Sequence, residues 1–100
     1  MKSEVKDDTV YLILEEKIDL VNAEDLKEMF MDLLDQGYLD FALDFGKVRM
    51  IDSSGLGKIL LMQKILQEKE GSLKIINIES EYVKKMFRMV HLSKLVNIEE

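Results

Sequence analysis

The segment TVYLILEE, residues 9–16, shows the spacing of a buried strand. Apolar residues recur at Val10, Leu12 and Leu14, and the positions between them also carry residues that favour strands. This spacing of two predicts a largely buried β-strand. A short strand over residues 2–6 is expected beside it.

Three later segments also show strand character. YLDFALDFG places Phe41, Leu43 and Phe45 on one side of a second buried strand. SLKIINIES predicts a further strand, and KLVNIEE a short one at the end of the chain. GKVRMID, between the first two of these segments, is expected to be a short connection.

Helical spacing separates the strands. The first helix is predicted over residues 22 to 36, with Asn22 as its N-cap and Gly37 after its end. A third helix is predicted after Ser80, which suits an N-cap. The inner positions are Leu26, Met29, Phe30 and Leu33 in the first helix, and Val83, Met86, Phe87 and Val90 in the third.

The second helix is predicted to begin near Ser53 or Ser54 and to continue to the QEKE segment before Gly71. From Leu56 to Leu66 it is apolar around more than half of its circumference, which places it against the sheet. That width also leaves Leu61 or Met62 free for another contact.

The alternation of strands and helices predicts an α/β fold. Parallel strands joined by helices require right-handed β-α-β crossovers, so we expect a mixed β-sheet with helices packed on it. The chain of 100 residues is 47% hydrophobic and 34% charged, which fits a single domain over residues 1–100.

Composition excludes several classes of function. The chain has no cysteine and one histidine, so neither a metal site nor a bound cofactor is expected. Its formal net charge of −6 disfavours direct nucleic-acid binding. No apolar run approaches the roughly 20 residues of a membrane span, and no signal-peptide core is present, which predicts a cytoplasmic protein without membrane insertion.

The segment MIDSSGLGKILL, residues 50–61, is the strongest candidate for a functional site. It lies where a strand gives way to a helix, the position at which sites collect in α/β folds. One serine is expected to cap the second helix, although Asp52 could also serve. A single cap leaves the other hydroxyl without a structural purpose.

Catalytic uses of this segment find no support. A nucleophilic serine needs a base, and the one histidine, His91, is expected to be a structural residue at a helix end. GLGK lacks the spacing of a phosphate-binding loop and the third glycine of a dinucleotide site. We therefore expect no enzyme activity, and a serine that another enzyme phosphorylates is the remaining interpretation.

The same segment resembles the signature of the anti-sigma factor antagonists, single-domain bacterial proteins of the STAS family. Their typical form is Met-Asp-Ser, then Ser, Thr or Ala, then Gly-Leu-Gly and an apolar helix. KIDLVNAEDLKE, FALDFGKVRMIDSSG, GSLKIINI and VKKMFRMVHLSKLVNI extend the resemblance over nearly the whole chain. Glu16 and His91 stand where the family often has glycine, and the chain ends short of the C-terminal helix that many members carry.

The resemblance implies the site and its partners. Ser53 matches the serine that an anti-sigma factor serine kinase phosphorylates, and Ser54 is interpreted as a helix cap or support. The expected environment of the phosphorylation site and partner contact is listed here: Asp19, Asp52, Ser54, Gly55, Leu56 and Gly57. The unphosphorylated form would bind the kinase and free a sigma factor, and a metal-dependent serine phosphatase would reset the phosphorylated form.

A second class of function also fits the resemblance. STAS domains occur as structural subunits of lipid-transport or stress-sensing complexes, and the apolar second helix would then be a permanent docking surface. Indifference of the assembly to changes at Ser53 would favour this alternative.

Overall fold

The computed structural model describes residues 1–99, and these form a mixed sheet with three α-helices packed on it. The elements in chain order are β1 (Lys2–Lys6), β2 (Thr9–Ile13), β3 (Lys17–Ile18), α1 (Ala23–Asp35), β4 (Asp40–Asp44), β5 (Met50–Ile51), α2 (Ser53–Glu68), β6 (Ser72–Ile76), α3 (Glu81–Met89), a 3-10 turn (Leu92–Lys94) and β7 (Asn97–Ile98). The predicted fold class is confirmed.

The main sheet has the strand order β1-β2-β4-β6-β7. β1 and β2 pair antiparallel across a tight turn at Asp7 and Asp8, whose φ angles are 52° and 65°. Aspartate tolerates this left-handed region better than most residues. The remaining neighbours are parallel and are joined by helical crossovers, as the alternating pattern predicts.

The hydrophobic core lies between one face of the sheet and the helices. Alternate residues of the central strands share this face, because side chains along a strand point to opposite sides. The buried strand residues of the core include Val10, Leu12, Phe41, Leu43, Leu73 and Ile75. The helices contribute Leu26, Phe30, Ile59, Met62, Leu66, Val83 and Phe87.

The predicted helices are confirmed, with two local differences at Met62 and Val90. Met62 is fully buried, so it is not available for another contact, whereas Leu61 is half-buried. Val90 was predicted to lie on the inner stripe of the third helix, but it follows the end of α3 and is 48% exposed. His91 comes next with a φ of 55°, a left-handed conformation that favours glycine.

The sequence prediction missed the short pair of parallel strands β3 and β5. Lys17 pairs with Met50 and Ile18 with Ile51, outside the main sheet. GKVRMID was predicted to be only a connection, because two residues are too few to show a spacing of two. This small sheet brings the segment after β3, which begins with Asp19, next to the segment after β5, which begins with Asp52.

Candidate functional site

The β3–β5 pair places Asp19 and Asp52 at neighbouring strand ends. Each aspartate directly follows its strand, and the Asp52 amide donates to the Ile18 carbonyl at 3.1 Å. Because the two strands are parallel, their carboxyl ends lie at the same edge of the small sheet. The segments that lead into α1 and α2 start at this edge. Two residues 33 positions apart in the sequence thus form one surface.

Asp52 is the N-cap of α2. One of its oxygens, Oδ1, accepts from the Gly55 amide at 3.0 Å, and the other, Oδ2, accepts from the Leu20 amide at 3.2 Å. Its backbone is extended, as an N-cap requires. The Asp52 carboxylate therefore holds both the start of α2 and the loop before α1.

The prediction that a serine caps α2 is wrong, and so is the interpretation of Ser54 as the cap. Ser53 and Ser54 are the first two residues inside the helix, and no hydrogen bond joins either hydroxyl to another residue within 1–99. Ser53 is exposed, whereas Ser54 is half-buried beside α1. A carboxylate competes well with a hydroxyl for the N-cap, since it also favours the positive end of the helix dipole.

Asp19 organises the loop between β3 and α1. Its Oδ1 accepts from the Val21 amide at 3.0 Å and from the Asn22 amide at 3.2 Å. Asn22 accepts in return from the Asp19 amide and donates its side-chain amide to the Lys17 carbonyl. Asn22 therefore occupies the predicted N-cap position of α1. Its side chain makes hydrogen bonds within the preceding loop and none to the first turn of the helix.

This loop exposes two large apolar side chains beside the double serine. Leu20 is 75% exposed and Val21 is 82% exposed. Their backbone amides are held by Asp52 and Asp19, so the side chains point outward from an ordered loop. Neither residue can be recognised from the sequence, because an isolated Leu-Val pair has no characteristic spacing.

The two glycines at the start of α2 differ in their surroundings. A Cβ at Gly55 would lie 2.7 Å from the Ile18 carbonyl oxygen and 2.8 Å from Cγ1 of Ile51. Apart from its chain neighbours and the backbone of its own helix, a Cβ at Gly57 would meet no atom of residues 1–99 within 4 Å. Gly55 is thus required for packing against the small sheet, whereas Gly57 is not required by packing.

Leu56 is half-buried and packs against the core. It lies next to the serines in sequence, but its side chain contributes to the hydrophobic interior. Its predicted place in the partner contact remains a prediction.

A shallow groove of about 230 Å³ lies between the start of α1 and the first turns of α2. It is lined by Leu20, Ala23, Glu24, Ser54, Gly57, Lys58 and Leu61. Glu24 and Lys58 form an ion pair of 2.8 Å between the two helices. The hydrogen bond and charge of Lys58 lower the pKa of Glu24, although both groups remain accessible to water.

Glu24, Lys58 and Leu20 extend the site beyond the residues predicted from the sequence. The chain has 20 acidic and 14 basic residues, so a pair at separation 34 cannot be recognised without the fold. Of the predicted residues, Asp19, Asp52, Gly55 and both serines lie at the junction of the two strand ends with α2, and Gly57 lines the adjacent groove.

Comparison with known proteins identifies the family to which this fold belongs. The sequence model of the STAS domain family matches residues 1–100, so the chain belongs to the STAS domain family. Within residues 1–99, none of the helices has the length and apolar character needed to cross a membrane.

Solved structures give a finer comparison. A protein of Thermotoga maritima assigned as an anti-sigma factor antagonist is similar at 27% identity, over 99% of this chain and 85% of that one, with a TM-score of 0.89. The Bacillus anti-sigma factor antagonist SpoIIAA is similar in its unphosphorylated form, at 22% identity, 99% and 86% coverage and a TM-score of 0.77. Its phosphorylated form matches at 23%, 99% and 90%, with a TM-score of 0.75.

Proposed function

We propose that this STAS domain is an anti-sigma factor antagonist that is controlled by phosphorylation of Ser53. The unphosphorylated form binds an anti-sigma factor serine kinase and thereby releases a sigma factor. Phosphorylation of Ser53 switches this binding off. The similarity to solved anti-sigma factor antagonists supports the class of partner.

The position of Ser53 carries the proposal. Its side chain is exposed in the first turn of α2, and Asp52 has already taken the role of N-cap. The hydroxyl is therefore free to receive a phosphoryl group without loss of a structural hydrogen bond. Ser54 is half-buried against α1, so a kinase reaches Ser53 more readily.

The proposed switch is electrostatic. In the kinase complex, the γ-phosphoryl group of ATP passes to the Ser53 oxygen, whose proton leaves, and ADP is released from the kinase. The phosphate adds roughly −1.5 to −2 charges beside Asp52. The N-terminus of α2 tolerates this charge, whereas a docked partner meets like-charge repulsion and the cost of desolvating a phosphate.

The remaining steps belong to other proteins. ATP and magnesium are bound by the kinase, and a metal-dependent serine phosphatase hydrolyses the phosphoserine to restore the binding form. The chain itself acts as substrate and binding partner in the cytoplasm and not as an enzyme.

Phosphate mapping tests this function. The protein is incubated with ATP, magnesium and each anti-sigma factor serine kinase of the same organism, and peptides are analysed by mass spectrometry. We expect one phosphate, on Ser53. Ser54→Ala should be phosphorylated like the wild type, Ser53→Ala should stay unmodified and bound to the kinase, and Ser53→Asp should bind weakly.

Failure of this experiment has a defined meaning. If kinases shown to be active on another substrate leave the protein unmodified, the switch is wrong. Stable co-purification with a transport or stress-sensing complex, unaffected by Ser53→Asp, would then identify a structural STAS subunit.

A further inference from the structure

A second cavity, of about 180 Å³, is lined by α3, the 3-10 turn, β7 and the segment after β6. Its lining residues are Ile78, Lys84, Phe87, Arg88, Ser93 and Ile98. None of them lines the groove between α1 and α2 beside Ser53. The cavity is therefore separate from the proposed phosphorylation site.

The buried part of this cavity is apolar. Phe87 and Ile78 belong to the hydrophobic core, and Ile98 is half-buried against it. The ring of Phe87 is held in place by Phe45, whose ring centre lies 5.5 Å away in an edge-to-face arrangement. A cavity of about 150 Å³ already accommodates benzene in another protein. There is thus room for one ring or a short chain against a wall that is already formed.

Two cations of α3 stand beside the apolar wall. Lys84 and Arg88 are four residues apart, which places them on the same side of the helix. Lys84 is paired with Glu81 at 3.6 Å. Arg88 is exposed and forms no ion pair with a carboxylate of residues 1–99. The guanidinium of Arg88 is therefore the group available to an anion.

The surroundings of the cavity are basic, although the chain as a whole is acidic. Residues 80–98 include four basic residues and one acidic residue, whereas the whole chain has a formal net charge of −6. The carboxylate of Glu99, which comes directly after this segment, is paired with Lys74 at 3.5 Å. An anion that approaches this end of the molecule meets an attractive local field.

The donors at the cavity suit a carboxylate better than a phosphate. A guanidinium binds both oxygens of a carboxylate through its planar fork, and the Ser93 hydroxyl adds one further donor. A phosphate group would bring roughly −1.5 to −2 charges to a site where Lys84 is already paired. A cation in the last turn of a helix also favours the helix dipole, but a lysine does this equally well and lacks the fork.

We propose that this cavity binds a small organic carboxylate with an apolar body. The carboxylate meets the guanidinium of Arg88, and the apolar body lies against Phe87 and Ile98. Such sites combine apolar walls with a small number of polar groups that fix the orientation of the ligand. Binding here does not require phosphorylation of Ser53.

Benzoate is the probe, with two control ligands that each lack one of its features. Benzamide keeps the ring and loses the charge, whereas acetate keeps the carboxylate and loses the ring. In a titration of isotope-labelled protein followed by NMR, benzoate should cause saturable shifts at Ile78, Phe87, Arg88 and Ile98. Benzamide and acetate should each bind at least about fivefold more weakly.

Arg88→Gln tests the cation, and Lys85→Gln is the matched control. Both variants remove one positive charge from an exposed position of α3, but Lys85 does not line the cavity. Arg88→Gln should weaken benzoate binding at least about fivefold, because the fork that holds the carboxylate is lost. Lys85→Gln should bind benzoate like the wild type, and both variants should melt near the wild-type temperature.

The outcomes decide the proposal without reference to the kinase. Benzoate shifts that do not saturate, or that spread over surfaces outside the cavity, would overturn the site. Equal binding of benzoate and benzamide would reject the carboxylate as the recognised group, and equal weakening by the two variants would reject Arg88 as its partner. All of these titrations use the unphosphorylated protein alone, so their failure leaves the proposed switch at Ser53 intact.

Discussion

At the scale of single residues, Asp52 makes the structural hydrogen bonds at the start of α2, so that Ser53 does not have to make them. Its two oxygens hold the amides of Gly55 and Leu20, so one carboxylate joins α2 to the loop before α1. Neither serine has to supply the cap. Ser53 can therefore be modified while the local hydrogen bonds of the fold stay in place.

The stability effects of Asp52→Ala and Ser53→Ala should differ. Loss of a cap typically costs about 0.5–2 kcal/mol, and Asp52→Ala also releases the Leu20 amide, so we expect destabilisation near the upper end of that range. Ser53→Ala should change the free energy of unfolding by less than about 0.5 kcal/mol. Urea unfolding measures both, and a larger loss for Ser53→Ala would contradict the assignment of the cap.

At the scale of elements, two short strands determine where two helices begin. β3 and β5 have two residues each, yet their ends bring Asp19 beside Asp52. Gly55 allows α2 to pack closely on this pair, because a Cβ there would collide with the Ile18 carbonyl. The groove between α1 and α2 depends on that close approach.

The ion pair between α1 and α2 should have a measurable pH dependence. Lys58 lowers the pKa of Glu24 below its ordinary value of 4.5, so the contribution is present above that value and is lost as the pH falls through the lowered pKa. In Lys58→Met, the pKa of Glu24 in an NMR titration should return toward its ordinary value. An unchanged pKa would show that the pair does not form in solution.

Helix α2 also contrasts with its neighbour in charge. α1 has acidic residues along its exposed side, whereas the exposed positions of α2 before Glu68 carry no carboxylate and include Leu60, which is 38% exposed. The helix that carries Ser53 is therefore less acidic on its exposed side than α1.

At the scale of the whole molecule, the sheet and core form a scaffold for a small site. The site lies at the edge where β3, β5 and the N-termini of two helices meet. The fully buried core residues Leu12, Phe41 and Ile59 do not contribute to its surface. Modification of an exposed hydroxyl at this edge leaves the packed interior untouched.

Phosphorylation should consequently leave the fold unchanged while it abolishes kinase binding. We expect the far-UV circular dichroism of the Ser53-phosphorylated protein to equal that of the unmodified protein. Amide shifts in two-dimensional NMR should change around the β3–α1 loop and the start of α2. Widespread shifts in β6 and β7 would indicate a conformational switch and contradict the electrostatic mechanism.

Much of the fold could be predicted from sequence, because long amphipathic segments have strong periodicity. The bounds of α1 differ from the prediction by one residue at each end, and the strand over residues 2–6 is present. The β3–β5 pair was missed because two-residue strands have no detectable period. The cap was misassigned because Asp, Ser and a second Ser stand in sequence, and the choice among them depends on backbone angles.

The sequence by itself determined the fold class, the order of the main elements and the candidate segment around Ser53, since these depend on local spacing and a contiguous motif. Only the tertiary structure decided that Asp52 caps α2, that Gly55 is sterically required while Gly57 is open, and that Glu24 meets Lys58 across a groove. These features join residues distant in the chain, and their contacts exist only after the strands have paired and the helices have packed.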